Sequence, residues 1–292
     1  MMRTRLKCAR CGKDAVYLSR ASGEPLCLRC LEKSLVKNVR RVLGRYAKLA
    51  PGTPVVVVEP LIAKPWFCSS LKILLKAIRS HGNRIVIVGY GGRCPTHDQV
   101  DRVIQLGREE ILEACKLHNN QHDKIACLYR AEYLSGTIVA EKLGINTVLL
   151  MRPRDLCSLI GVIGIIAMSL SLAVESLPYR RTHTGFRVID PLYGVSSQDL
   201  IVYAFSLNLI KEDLPCDSTL DLERLPGYSD IQSIYMHSSE MIYSSSEAVR
   251  EIFDKMPGTR CPLCGSPTEG EGYCYICSSL LPLLKKLPDT VG

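Results

Sequence analysis

Two cysteine quartets bracket the chain and constrain how each end can fold. Cys8-x2-Cys11 is followed by Cys27-x2-Cys30, and Cys261-x2-Cys264 by Cys274-x2-Cys277. Paired CxxC knuckles on a short connector gather four thiolates around one tetrahedral ion, and zinc is the metal such closed sites take. The two-residue gap turns both sulfurs inward and leaves backbone N–H groups free to bond them. Gly12 and Gly265 each follow the second cysteine of a knuckle, where the turn favours a left-handed residue. Six more cysteines (Cys68, Cys94, Cys115, Cys127, Cys157 and Cys216) are scattered without pattern, and Met1 to Arg10 is basic with no apolar stretch. Both features predict two structural Zn2+ sites in a reducing, cytoplasmic setting rather than secreted disulfides.

Charge is distributed as unevenly as cysteine. Residues 1–50 hold 13 Lys or Arg against three acidic residues, and the remainder holds 24 against 26. The excess positive charge therefore sits on the first finger and the segment after it, as in a module that meets a polyanion. That segment reads as a helix. Leu31, Leu35, Val39, Val42, Leu43 and Tyr46 form an apolar stripe, and Lys33, Lys37, Arg40, Arg41, Arg45 and Lys48 fill the rest. With no acidic residue after Glu32 to balance the run, phosphate contact through Lys37, Arg40, Arg41, Arg45 and Lys48 is the preferred reading.

Strand and helix patterns alternate through the middle. Val55 to Val58, Arg84 to Val88, Thr147 to Leu150 and Arg187 to Ile189 read as strands. Ser69 to Ser80, Ala131 to Leu143, Gln198 to Leu207 and Ser246 to Lys255 read as helices. Thr96-x-x-Gln99 reads as a capping box opening a helix that runs to about His118. The alternation predicts an α/β fold: a parallel, Rossmann-like sheet with helices on both faces. The domains expected are 1–50 (finger and basic helix), 51–257 (α/β core) and 258–292 (second finger). Leu156 to Val174 is a run of 19 uncharged residues, long enough to span a bilayer. Its small polar residues, and basic residues flanking both ends, predict a buried central helix instead.

The arrangement resembles the two-zinc-finger tRNA 2-thiolation enzymes of the TtuA type, in the PP-loop ATPase superfamily. Cys8-Ala-Arg-Cys-Gly, Gly23-Glu-Pro-Leu-Cys-Leu-Arg-Cys and the helix toward Tyr46 carry the likeness at one end. Val188-Ile-Asp-Pro-Leu-Tyr, Leu214-Pro-Cys216 and Met256-Pro-Gly-Thr-Arg-Cys-Pro-Leu-Cys-Gly carry it at the other. The resemblance implies a PP-loop-like core that adenylates a tRNA uridine carbonyl with ATP and then delivers sulfur. Three core cysteines hold an iron–sulfur cluster in several members.

This sequence departs from that pattern where the chemistry lies. The family's glycine-rich phosphate loop corresponds to Glu59-Pro-Leu-Ile-Ala-Lys-Pro-Trp-Phe-Cys-Ser-Ser70, which has no glycine. Pro65 has no N–H to donate, and Trp66 and Phe67 are bulky where phosphate needs room. Only Ser69 and Ser70 remain to cap the helix. The later Gly-His-x-x-Asp-Asp motif falls at Leu150 to Asp155, with only Asp155 matching. Paired cysteines fall at Lys124 and Cys127, with only Cys127 matching, and Cys216 fits the third. Two thiolates do not supply the three ligands of that cluster. The chain is thus expected to hold tRNA, or a catalytic thiolation partner, without its own ATP-dependent sulfur transfer. The alternative is an active enzyme with a rebuilt site that uses Cys127 and Cys216, with Ser69, Ser70 and Asp155 at the nucleotide. The oligomeric state, a homodimer included, stays open at this point.

Three other constellations stand out. Cys115, His118, His122 and Cys127 have the residue types of a third metal site, though a polar helix end explains them as well. Gly89-Tyr-Gly-Gly92 reads as a plain turn after a strand. Arg180-Arg181 with His183 reads as a surface basic cluster in a loop.

Overall fold

The computed structural model describes residues 6–19, 22–62, 66–79, 82–91, 94, 99–182, 185–209, 225–237, 239–268 and 270–285. The first finger carries the hairpin β1 (Tyr17–Leu18) and β2 (Pro25–Leu26), then α1 (Leu28–Tyr46). The body follows as β3 (Val55–Val58), α2 (Phe67–Arg79), β4 (Ile85–Gly89), β5 (Arg102–Gln105), α3 (Arg108–Lys116), α4 (Gln121–Lys142) and β6 (Thr147–Leu149). After these come α5 (Arg154–Ile166), α6 (Leu170–Ala173), β7 (Tyr179–Arg181), β8 (Arg187–Ile189), α7 (Ser197–Ser206), α8 (Tyr228–His237) and α9 (Ser239–Lys255). The second finger is the hairpin β9 (Thr259–Arg260) and β10 (Pro267–Thr268), closed by α10 (Tyr275–Lys285).

The six central strands lie in the order β5-β4-β3-β6-β8-β7. All neighbours pair in parallel except the edge strand β7, which runs antiparallel to β8. The tetravaline strand β3 is buried on both faces, as the centre of a two-sided parallel sheet requires. Val55 and Val57 pack with α1, α2 and α7, and Val56 and Val58 pack with the layer that holds α3, α4 and α10. The cysteines of each finger belong to these same two cores, Cys8, Cys27 and Cys30 to one and all four of the second quartet to the other. Each metal module is therefore continuous with a core layer.

Several expectations change. The predicted helix from Thr96 is instead strand β5 followed by α3, with Gly107 between them. The β-branched pair Val103-Ile104 extends the sheet edge beside β4, and a long-range ladder overrides a local capping pattern; Thr96 itself lies outside the described residues. Helix α4 starts ten residues earlier than expected, because the Asn120 side chain accepts from the Asp123 N–H and caps it. The uncharged run is not one helix. α5 ends at Ile166, Met168 takes a left-handed φ of 52°, and the chain turns back as α6. A Cβ on Gly164 would lie 2.5 Å from the Ala173 N, so only glycine allows that return. Among the described residues no helix is long and apolar enough to cross a membrane. Arg180 and Arg181 lie in strand β7 rather than in a loop.

Gly136 lets α4 rest directly on the sheet. A Cβ there would meet Val148 Cγ1 at 2.5 Å and Val58 Cγ2 at 2.6 Å. On helix propensity alone Gly136→Ala would stabilise by about 1 kcal/mol. The overpacking outweighs this, and a net destabilisation of about 2 kcal/mol is expected in urea denaturation. A variant as stable as the native chain would show that α4 is free to lift.

Candidate metal centres, basic face and switch-point crevice

The ligating sulfurs of Cys8, Cys11, Cys27 and Cys30 all lie within 4.8 Å of one another, and so do those of Cys261, Cys264, Cys274 and Cys277. The knuckle turns are the expected ones. Gly12 and Gly265 take left-handed φ values of 71° and 73°, and their N–H groups donate to Cys8 O and Cys261 O. In both quartets the second knuckle opens a helix. Cys27 and Cys30 sit at the start of α1, and Cys274 and Cys277 at the start of α10. Partial positive charge at those helix ends favours thiolates. Sγ–Sγ distances are 3.5 Å for Cys11–Cys27 and 3.7 Å for Cys264–Cys274. A tetrahedral ion with metal–sulfur bonds of about 2.3 Å spaces its ligands about 3.8 Å apart, so each quartet fits a single metal ion.

The surroundings of the two quartets differ. Cys11 is exposed, whereas all four cysteines of the second quartet are buried. Against the second quartet lies Arg130 of α4, itself fully buried. Its Nη1 donates to Cys264 Sγ at 2.6 Å, Cys274 Sγ at 3.2 Å and Cys277 Sγ at 3.6 Å. Its Nε donates to Glu175 Oε1 at 2.5 Å. Glu175 also accepts from Arg180, whose guanidinium lies 4.1 Å above the Tyr133 ring. The Glu175 backbone carbonyl accepts from Arg152 Nη1, and Arg152 pairs bidentately with Asp190 at 2.9 and 2.6 Å. Burial alone would raise the Glu175 carboxyl. The guanidiniums of Arg130, Arg180 and Arg152 outweigh it and hold that carboxyl at about 2. Arg180, expected at the surface, is thus a buried structural cation, because Glu175 draws it inward.

Strand order reverses direction between β3 and β6, the place where open α/β sheets hold ligands. Near the carboxyl ends of these strands stand Glu59, Glu132, Arg152 and Asp190, which are 1–4% exposed. Glu132 of α4 accepts from the Leu61 N–H at 2.8 Å, just beyond β3. The turn after β4 is satisfied internally: Tyr90 N–H donates to Glu59 and Gly91 N–H to Gln105. Burial pushes the Glu132 carboxyl up to about 8, against the pull of Arg152.

The residues proposed for a nucleotide are occupied elsewhere. Ser69 and Ser70 are fully buried. Both hydroxyls donate to the Trp66 carbonyl, and that of Ser69 also to Leu200 O. Asp155 accepts from the N–H and hydroxyl of Ser197 at the start of α7. All three side chains are thus engaged within the protein body. Cys127 forms a disulfide with Cys115, and among the described residues these two do not gather with His118 and His122 into a third metal group. His118 packs edge-on against Tyr275 instead. Cys216 lies outside the described residues.

On the opposite layer, Lys37, Arg40, Arg41 and Arg45 are exposed along α1, and Lys48 is exposed in the left-handed turn just beyond its end. A groove of about 330 Å³ between α1 and α2 is lined by Glu32, Lys33, Val36, Lys37, Arg40 and Lys76. Glu32 is taken up by Lys76 at 2.7 Å and by the Tyr203 hydroxyl. Arg40 also donates to the Lys76 and Ala77 carbonyls of α2, a fastening role that the helical periodicity did not reveal.

No family model matches the chain, and no curated protein matches it. Among solved structures the chain is similar to the U34-tRNA thiolase NcsA from Methanococcus maripaludis with its [4Fe-4S] cluster. The two are 18% identical over 96% of this chain and 97% of that one, with a TM-score of 0.67. At this identity the likeness establishes a shared fold.

The raised Glu132 carboxyl sets a sign for pH dependence. The folded chain holds its proton to about pH 8, and the unfolded chain releases it near about 4.3. Stability contributed by this group is full below the lower value and falls as pH rises through the window, by roughly 1 kcal/mol per unit. Glu132→Gln should flatten that slope and be more stable than the native chain at pH 8. Parallel pH profiles of the urea midpoint in the two proteins would refute the assignment.

Proposed function

We propose that this chain is a member of the tRNA-thiolation family that holds tRNA on the basic face of α1 and does not itself carry out ATP-dependent sulfur transfer. The observation that carries this reading is the buried charge at the switch point. Glu59, Glu132, Arg152 and Asp190 fill the strand ends, and Ser69 and Ser70 have spent their hydroxyls on Trp66. The fold likeness to a tRNA thiolase and the exposed run Lys37, Arg40, Arg41, Arg45, Lys48 support tRNA as the ligand. The two quartets act as structural Zn2+ sites, since each brings four sulfurs to one tetrahedral centre with no open position. The reading places the protein in the cytoplasm, where tRNA is found.

Binding then proceeds by charge and shape. The fingers orient α1, the buried stripe Leu31, Leu35, Val39, Val42 and Leu43 fixes its rotation, and the cations of the outer face meet successive phosphates. One observation favours the alternative, an active enzyme with a rebuilt cysteine site. The disulfide brings Cys115 beside Cys127, so when reduced it would supply in space a sulfur that the sequence lacks at Lys124.

Five measurements test the proposal. Calorimetric titration with Mg-ATP should give no heat of binding up to millimolar nucleotide, and AMP release on incubation with tRNA would favour the active enzyme. A brown chromophore after anaerobic purification would favour it too. Lys37→Glu with Arg41→Glu, chosen because Arg40 also fastens α2, should weaken tRNA binding at least tenfold and lower the salt slope by about 2; unchanged affinity removes α1 as the contact. Elemental analysis should find two zinc per chain and one in Cys8→Ala.

A further inference from the structure

The two metal quartets share their spacing but not their electrostatics. Four thiolates around a divalent cation form a dianion, and burying it calls for a counter-charge. The buried ladder behind the second quartet contains three guanidiniums (Arg130, Arg152, Arg180) and two ion-paired carboxylates (Glu175, Asp190). One positive charge is left over, and Arg130 directs it at the sulfurs of Cys264, Cys274 and Cys277. The rest of the guanidinium is fixed by Glu175, Ser171 O and Ser266 Oγ, and the Ser266 N–H donates to Cys264 Sγ. The first quartet is set differently. Cys11 is exposed, and two cations of that finger are committed to carboxylates: Lys7 to Asp14, and Arg10 to Glu24.

We infer that Arg130 is the built-in counter-ion of the C-terminal metal centre and makes it a retained site, while the N-terminal centre is the exchangeable one. N–H to sulfur bonds withdraw charge from the thiolates, which slows their attack by acids, oxidants and competing chelators. Burial bars entry to the same atoms. The exposed Cys11 gives a chelator a first foothold on the other ion. The inference rests on the position of Arg130 and does not depend on whether the protein holds tRNA.

The test uses the full zinc-loaded chain and the chromogenic chelator 4-(2-pyridylazo)resorcinol. Release should be biphasic, with one equivalent freed at least tenfold faster than the other, and the fast phase should be missing from Cys8→Ser. Arg130→Leu should accelerate the slow phase by about 10- to 100-fold and leave the fast phase unchanged. Arg130→Gln keeps an N–H donor without the charge and should fall between the two. A single phase in the native chain, a slow phase indifferent to Arg130→Leu, or native behaviour in Arg130→Gln would each overturn the inference. If Arg130→Leu does not fold, alkylation of the native protein followed by peptide mass spectrometry gives the order independently. Cys11 should be modified before Cys264 and Cys277, and the reverse order sinks the proposal.

Discussion

The structure depends on a ladder of alternating charge buried between the sheet and the second finger. Arg130 faces the thiolates, Glu175 joins Arg130 to Arg180, and Arg152 crosses to Asp190. These residues come from α4, the turn after α6, β7, the end of β6 and the end of β8. Removing one member of such a buried set costs about 3–5 kcal/mol, because its partner is left charged and dry. The set therefore fixes register as well as position: one residue of slip in β7 would turn Arg180 to solvent and abandon Glu175.

The same ladder reaches the switch point. In an open α/β sheet the strand ends diverge there and leave space for a ligand. Arg152 stands just beyond β6 at this place, held by Asp190 from one strand and by the Glu175 carbonyl from the adjoining turn. Glu132 reaches in from α4 and takes the Leu61 N–H that would otherwise face the opening. A ligand entering there would have to displace paired buried charges rather than water, a far less favourable exchange.

The sequence made the local features legible. CxxC spacing, the glycines after each knuckle, the stripe of α1 and the tetravaline strand all depend on neighbours within a few residues, and all appear where expected. The ladder was not legible, because its members stand 5 to 60 residues apart as isolated charges. Glu175 offered the best clue, as the charge that ends a 19-residue uncharged run. Arg180 beside Arg181 looked like a surface pair, yet strand alternation sends the first inward and the second outward. The capping pattern at Thr96 failed for a related reason, since a sheet edge far away in sequence claimed the residues that follow it.

Helix α1 begins inside the first metal quartet, with Cys27 as its N-cap and Cys30 in its first turn. A metal ion held there would act as a pivot pin for the whole positively charged rod. Its loading would set where the rod starts and which way its first turn faces, while the apolar seam governs only the remainder. A finger that gave up its ion readily would then connect metal supply to the angle at which this rod is presented.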